Sequence, residues 1–600
     1  MDPPATEDSP AGRGGWGGGW RRGAQAIVLA LPSLVLVERA WSRRWMTDDG
    51  FINLRVARMI LDGHGPVFNV GERVEATTST LWVWLIAAGD IVLPFRMEWV
   101  AVVLGVVGAA GGLALATFGA ARLQRASGAT GVLLPVGALV VAAVAPFWDF
   151  ATSGLEGGLT FGWLGLIGWL LCRWASSDQR LGRLAAVAIG VGPLVRPDLA
   201  LALPIVLGGV LFAQWPNDRA RDRLRIVGAA LALPMAYQLF RMGFYASVVP
   251  NTALAKASGR SRWGTGFDYL RDFVQPYWLV VPIVSLVAAI GGPMVWRAWR
   301  RRERRLLVAL VALPVLGLAD GLYVVRLGGD YMHGRLLLPA LFALIVPWAA
   351  VTVTAAGPRV GPYRATRPVA GFAGAVIICW SVISLVHLRP GSRPVVAGLF
   401  SSDAHAGHVR AFGDHAVTTA DQGWGPDSPR LVLDPDVAVY VDGPLDVTPP
   451  SGVDRPVYAA YGIGVGGYAL GDDVYVLDML GLADPLIGRF EIEQPGSTGH
   501  EKPIPAPWLA ARIASGPVDP DRLPTSFLVA PLYESAPGGF DRDTDVARRV
   551  LQCGALRDLD EAVHEPMTPG RFLSNLVTAP RRTRVEIPAD PGEAERRFCD

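Results

Sequence analysis

The chain has 600 residues, of which 51% are hydrophobic and 18% charged, with a mean hydropathy of +0.33 and a formal net charge of +2. That balance excludes an ordinary soluble domain and gives no electrostatic basis for binding nucleic acid. Arginine supplies nearly all the positive charge, lysine occurring only at Lys256 and Lys502, and it falls in short clusters between apolar runs, where it reads as a topology signal.

Residues 1–23, rich in Gly, Pro and acidic side chains and ending at Arg21 and Arg22, read as a disordered cytoplasmic tail. The apolar run from Ala24 to about Ala40 is close to the minimum for a span, and no small-residue cleavage site follows it, so it is expected to stay as a first helix. Further apolar segments fall near 79–94, 98–120, 131–149, 154–172, 184–214 with an ArgProAsp interruption, 226–240, 277–296, 306–323, 336–356 and 368–388. Arginines at 173–183, 219–225, 297–305 and 359–367 mark cytoplasmic loops, which puts 241–276, 324–335 and everything after 388 outside. A cytoplasmic start and an external end need an odd number of crossings, about 11. One conflict remains in the parity. If 79–94 and 98–120 both cross, Arg122 and Arg125 fall outside, so either one of the two is re-entrant or the rule fails there.

After Pro390 the long apolar runs stop, and turn residues alternate with short strand patterns such as ArgLeuValLeuAsp at 430 and AspValTyrValLeuAsp at 473. The expected architecture is therefore a polytopic α-helical membrane domain over 24–390, with an extracytoplasmic mixed α/β domain over 391–600 large enough to bury its own core. Cys553 and Cys599 lie in that second part and are expected to form a disulfide, whereas Cys172 and Cys379 sit in apolar runs as packing residues. GlyIleGlyValGlyGly at 462 lacks the strand and helix context of a phosphate-binding fingerprint.

The clearest chemical signal lies in the first external loop, 43–78, which is long and polar for so apolar a chain. Thr47 can cap a short surface helix with Asp48 and Asp49 in its first turn, Ile52, Val56, Met59 and Ile60 on one face, and Gly63 at its end. Two carboxylates there can act as acid and base, bind a divalent cation, orient a sugar hydroxyl, or simply complement the helix dipole. Ionisable groups recur in the other external turns: Glu156 in GlyLeuGlu, Arg196 and Asp198 in ArgProAsp, Asn251 to Lys256 in ProAsnThrAlaLeuAlaLys, and Arg326, Asp330, His333 and Arg335 in 326–335. Charges at a membrane boundary are functional candidates. Each also has a structural reading: Glu156 can bond within the bundle, Arg196 can pair with Asp198, and Arg326 can snorkel. Arg335, His333 and Lys256 offer donors suited to a phosphate, with Arg196 and Arg326 as further cations, while Arg55 in the first loop joins the other candidates.

The ordered set of an AspAsp-containing first external loop, then GLE, RPD, PNTALAK and GGDYMHGR, resembles the polytopic GT-C glycosyltransferases. More narrowly, DDGFINLRV, GHGPVFNVGERVEATTSTLW, GGDYMHGRLLLPALF and YVLDMLGLADPL are similar to the AftB family of actinobacterial terminal arabinofuranosyltransferases, over the whole chain. The resemblance implies a GT-C membrane domain with an external C-terminal domain in the plasma membrane. It also implies a decaprenyl-phosphate arabinofuranose donor, transfer to the ends of arabinan in arabinogalactan or lipoarabinomannan, a catalytic carboxylate at Asp48 or Asp49, and lipid-phosphate contacts at Arg335, His333 and Lys256. Donor and product are both implied to be β-configured, so a single inverting displacement does not suffice. Two other readings stay open: another polyprenyl-phosphate-dependent transferase such as a mannosyltransferase, and a transporter of lipid-linked sugars, for which inverted repeats are expected and none is visible.

Overall fold

The computed structural model describes residues 16–127, 131–215, 219–256, 259–353, 366–389, 457–460, 462–492, 502, 504–513 and 539–600. The strand expected at 430 and the arginines at 359–365 lie outside these residues. Among the described residues six helices are long and apolar enough to cross a membrane: Gly23–Ser42, Met97–Ala126, Pro197–Gln214, Ala220–Tyr245, Val280–Arg300 and Arg304–Leu327. Shorter apolar helices cover Thr80–Val92, Arg183–Val195, Arg335–Trp348 and Ala370–Val386, and Gly157–Ala175 is a further helix packed inside the bundle. The chain is mostly helical, as a polytopic membrane protein must be to satisfy its backbone in lipid.

Glycine sets the relation between the two most closely packed helices. Gly105 lies against Ala151, Gly108 against Gly158, Gly112 against Phe161 and Gly119 against Trp169, so the partner numbers rise together and Met97–Ala126 runs parallel to Gly157–Ala175. Backbones approach this closely only where side chains are absent. Arg125 consequently shares its end of the bundle with Arg173. The helix Thr80–Val92 does not extend to that end. Trp82 Nε1 donates to Gly154 O (2.8 Å) near its start, and Gly89 meets Val100 near its finish, so it lies across the opposite end instead of running through the bundle.

Two other apolar segments differ from simple spans. Trp174 Nε1 (2.8 Å) and Leu181 N–H (2.9 Å) both donate to Gln214 Oε1. This brings the start of Arg183–Val195 beside the end of Pro197–Gln214, so the segment 184–214 is an antiparallel pair turning at Arg196. Pro197 explains the turn, since it disfavours helical geometry at the residue before it. The segment 131–149 is broken into Val136–Ala142 and Ala145–Asp149. It runs alongside the first helix, with Gln25 Nε2 donating to Leu133 O (2.7 Å) at one end and Arg43 paired with Asp149 (2.8 Å) at the other. A two-stranded antiparallel pairing of Val132–Leu134 with Val351–Val353 closes the former end.

Residues 459–598 gather a hydrophobic cluster of their own around Leu477, Ile487, Trp508, Leu509, Val550, Leu556 and Ile587. It includes a parallel strand pair, Val457–Ala460 with Tyr475–Asp478, and the helices Gly539–Leu551, Gly554–His564 and Pro591–Phe598. Cys553 and Cys599 are bridged, 46 positions apart. A third cluster joins this part to the first loop: Met46, Phe51, Leu54, Phe68 and Trp82 pack with Tyr458, Ile463, Tyr468, Val476 and Ala483.

A side chain at Gly158 would drive into the Gly105 carbonyl. Gly158→Val should cost about 1–3 kcal/mol by overpacking and lower the thermal midpoint of the detergent-solubilised protein. Gly111, whose Cβ position meets nothing within 4 Å, serves as the tolerant control with Gly111→Ala.

Candidate active site

The helix Asp48–Leu61 starts where the sequence leads one to expect. Thr47 is in extended geometry and its hydroxyl accepts the Asp49 N–H (3.0 Å), which fixes the first turn. Gly50 allows that turn to touch the backbone at Ser153 and Gly154, and Thr47 N–H donates to Ser153 O (3.0 Å). Asn53 Nδ2 adds a long bond to Gly154 O (3.4 Å). The first loop and the GlyLeuGlu turn are thus built as one unit.

The two adjacent carboxylates point to different partners. Asp48 Oδ2 accepts the Gly464 N–H (3.0 Å) and Oδ1 the Val465 N–H (2.8 Å), capping the short helix Gly464–Ala469 that the GlyIleGlyValGlyGly stretch forms. Burial pushes the Asp48 carboxyl up to about 6, and the negative Asp49 adds to the rise, against the two N–H donors. Asp49 instead faces Arg335, Oδ2 to Nη1 at 3.3 Å, with its side chain 23% exposed.

Arg335 sits just after a loop with positive φ at Gly328, Gly329 and Gly334, where the left-handed conformation favours glycine. Its Nε lies 2.7 Å from Asp330, so one guanidinium bridges Asp330 and Asp49. Tyr331, next to Asp330 in sequence, has its hydroxyl pushed well above its usual range by burial and then by Asp49. Glu156 also acts electrostatically on Arg335 and pairs with Arg196 at 2.8 Å. Arg196 in turn holds Asp198 at 2.9 Å, and Asp320 adjoins both. The result is two arginines surrounded by five carboxyl groups: Asp49 and Asp330 at Arg335, and Glu156, Asp198 and Asp320 at Arg196.

Several sequence candidates have partners other than Asp49 and Arg335. His333 Nδ1 bonds Asp272 Oδ2 (2.8 Å) and its ring stands near Phe273 and Tyr277. Arg326 bonds Ser261 Oγ and Gly259 O, both at 3.1 Å, and holds the loop before the helix Trp263–Val274. Asn251 donates to the carbonyls of Gly481 (2.7 Å) and Asp484 (2.8 Å) and accepts from Arg489 (3.2 Å). Arg55 is fully buried and bonds the carbonyls of Phe68 (2.8 Å), Val474 (3.1 Å), Gly467 and Gly471. Lys256 follows the helix Asn251–Ala255, and no hydrogen bond or ion pair among the described residues joins it to Asp49 or Arg335. Asp320 and Tyr331 were not singled out from sequence; the signal for Asp320 was a lone carboxyl inside the apolar run 306–323. Among the described residues no group of three or more His, Cys, Asp and Glu could hold a metal ion.

Residues 454–596 match the model of the AftB family C-terminal domain. The chain is 34% identical to a terminal beta-(1->2)-arabinofuranosyltransferase of Mycobacterium tuberculosis, over 92% of this chain and 94% of that one. It is 32% identical to a protein of the same description from Corynebacterium glutamicum, over 93% of this chain and 85% of that one. No solved structure matches it.

The raised Asp48 carboxyl has a consequence for stability. Its folded value of about 6 exceeds the unfolded value of 3.8, so the folded chain binds the extra proton between them. The contribution is complete below the unfolded value and is lost as pH rises through about 6, by at most about 3 kcal/mol. Thermal midpoints measured from pH 4 to 7 should carry a falling component in this window that Asp48→Asn abolishes. Identical profiles for the two proteins would contradict it.

Proposed function

The chain belongs to the AftB family of terminal arabinofuranosyltransferases and is a membrane glycosyltransferase, and from that premise we propose that it uses decaprenyl-phosphate arabinofuranose to cap cell-wall arabinan at the extracytoplasmic face. The acceptor is the arabinan of arabinogalactan or lipoarabinomannan, and the new linkage is β-(1→2), as the names of both relatives describe for those proteins. The observation that carries the reading is the division between the two neighbouring aspartates: Asp48 is occupied by the Gly464 and Val465 amides, whereas Asp49 is partly open and faces an arginine.

In this mechanism Asp49 is the catalytic carboxylate and Asp48 fixes its position. Arg335 holds Asp49 before donor binds, through the longer of its two ion pairs. The donor phosphate then takes that guanidinium, whose planar fork suits it, and Asp49 is released toward the anomeric carbon. A β donor and a β product mean net retention. Asp49 displaces the lipid phosphate to form a glycosyl ester, and the acceptor hydroxyl then displaces Asp49 while giving its proton to the departed phosphate. An alternative at the same carboxylate is electrostatic support of an oxocarbenium ion while acceptor and phosphate meet on one face.

The topology proposed with this chemistry has 11 crossings, with residues 1–23 cytoplasmic and the C-terminal domain, 391–600, on the side of the active site. Its support is the arginine distribution together with the packing: Thr80–Val92 stays at the site end and the segment 184–214 crosses twice. In that topology Arg125 lies on the same side as Arg173, in keeping with the positive-inside rule.

The direct test incubates purified protein with prenyl-phosphate arabinofuranose and a synthetic arabinan acceptor and determines the product linkage. Asp49→Asn should lower single-turnover transfer on the order of 100-fold or more with donor binding retained, while Asp48→Asn should cost much less. Arg335→Lys should raise the KM for the lipid donor, because it keeps charge and loses the fork. Normal turnover by both aspartate variants would remove the carboxylate mechanism.

A further inference from the structure

The helix Pro569–Arg582 has its polarity reversed for a water-facing element. Asn575 and Arg582 are buried beside Ala579, whereas Leu573 is 60% and Val577 77% exposed, one helical turn apart on the same face. An ordinary surface helix would turn the other way. None of its side chains belongs to the hydrophobic cluster that organises the rest of 459–598. It packs instead on the membrane helix Ala220–Tyr245: the Phe572 ring meets Gly243, and Asn575 Nδ2 donates to Gly243 O (3.1 Å). Beyond the end of that helix, Thr583 Oγ1 accepts the Val248 N–H (2.9 Å).

The level of that contact follows from the span itself. Its leading arginines end at Arg225, and a hydrocarbon core takes about 20 residues to cross, so the opposite boundary falls near Tyr245 and the Gly243 contact lies at it. On the same span Leu233, Met235 and Leu239 are exposed, as lipid-facing residues are. The exposed pair Leu573 and Val577 therefore continues an apolar surface that already belongs to the bilayer. Arg584, exposed, stands just past the other end of the helix, where a guanidinium can meet lipid phosphates, beside Arg581, which is exposed and paired with Asp558 (3.0 Å).

We propose that Pro569–Arg582 is an interfacial membrane helix, inserting Leu573 and Val577 into the leaflet beside the span Ala220–Tyr245 and tying the C-terminal domain to lipid. The occupant of this face is bilayer lipid, not a protein partner. The anchor adds lipid to the attachments that the domain makes at the first loop and at Asn251, and it holds independently of which sugar is transferred.

The test uses the full chain in nanodiscs of phosphatidylcholine and phosphatidylglycerol. In a Cys379→Ser background, Val577→Cys is labelled with an environment-sensitive fluorophore and compared with Asp545→Cys, an exposed position on the helix Gly539–Leu551. The label at 577 should emit to the blue of that at 545 and be quenched several-fold more strongly by lipids carrying a nitroxide near the headgroup. Matching aqueous emission at both positions overturns the proposal. Equal quenching at both also overturns it, because that would be adsorption of the domain as a whole.

Discussion

Arg55 is the constraint on which the arrangement turns. Its guanidinium is buried in the helix Asp48–Leu61 with no carboxylate ion pair to it among the described residues, and burial pushes it down to about 9, still charged at neutral pH. A buried charge of this kind is tolerable only if its donors are met. The carbonyls of Gly467, Gly471 and Val474 meet them, together with Phe68 from the same loop, so the segment 467–474 has to lie on the first loop. Removing either side would leave a desolvated guanidinium or a row of unpaired carbonyls. Arg58 reinforces the contact, donating to Tyr468 O (2.8 Å) with its guanidinium over the Tyr468 ring.

Once that docking is fixed, the neighbouring polar groups form a continuous seam. Glu72 accepts from Tyr475 (3.0 Å) and pairs with His564 (3.2 Å), which also meets Asp560. Desolvation disfavours the imidazolium, but the bonds to Asp560 and Glu72 outweigh it and raise His564 to about 10. Arg512 bridges Asp484 and Tyr475, and Asn251 reads the turn that Asp478 and Asp484 build by accepting backbone amides. Asp48 belongs to the same seam. Its neighbour Asp49, displaced by one helical position and so directed about 100° away, belongs to the site.

Much of this was legible locally. The Thr47 cap, the short helix after it and the strand within AspValTyrValLeuAsp depend on nearest neighbours, and so were readable. The motifs themselves were legible as motifs, but their division of labour was not. Asn251 and Arg55 carry the same kind of polar signal as Arg335, yet their partners lie more than 200 positions away in chain, at 481–484 and 467–474. No spacing rule reaches that far. The turn at Arg196 was signalled by Pro197, but the bonds from Trp174 and Leu181 to Gln214 are what distinguish a pair of antiparallel helices from one kinked span.

The charge balance at the site bears on which ligand it can accept. Around Arg335 and Arg196 the paired carboxylates Asp49, Asp330, Glu156 and Asp198 outnumber the two guanidinium groups. Such an environment favours a positive anomeric centre and opposes a phosphate. A phosphate can enter only where a guanidinium exchanges one carboxylate for it, and the exchange requires least where the existing contact is longest and most open to solvent. Of the pairs here, that is Arg335 with Asp49: 3.3 Å and 23% exposed, against 2.7 Å and 2% for Asp330 and 2.8–2.9 Å for the carboxylates on Arg196. In the mechanism proposed above, the same exchange would free Asp49 from its guanidinium, so that donor recognition and release of the proposed catalytic group become a single event.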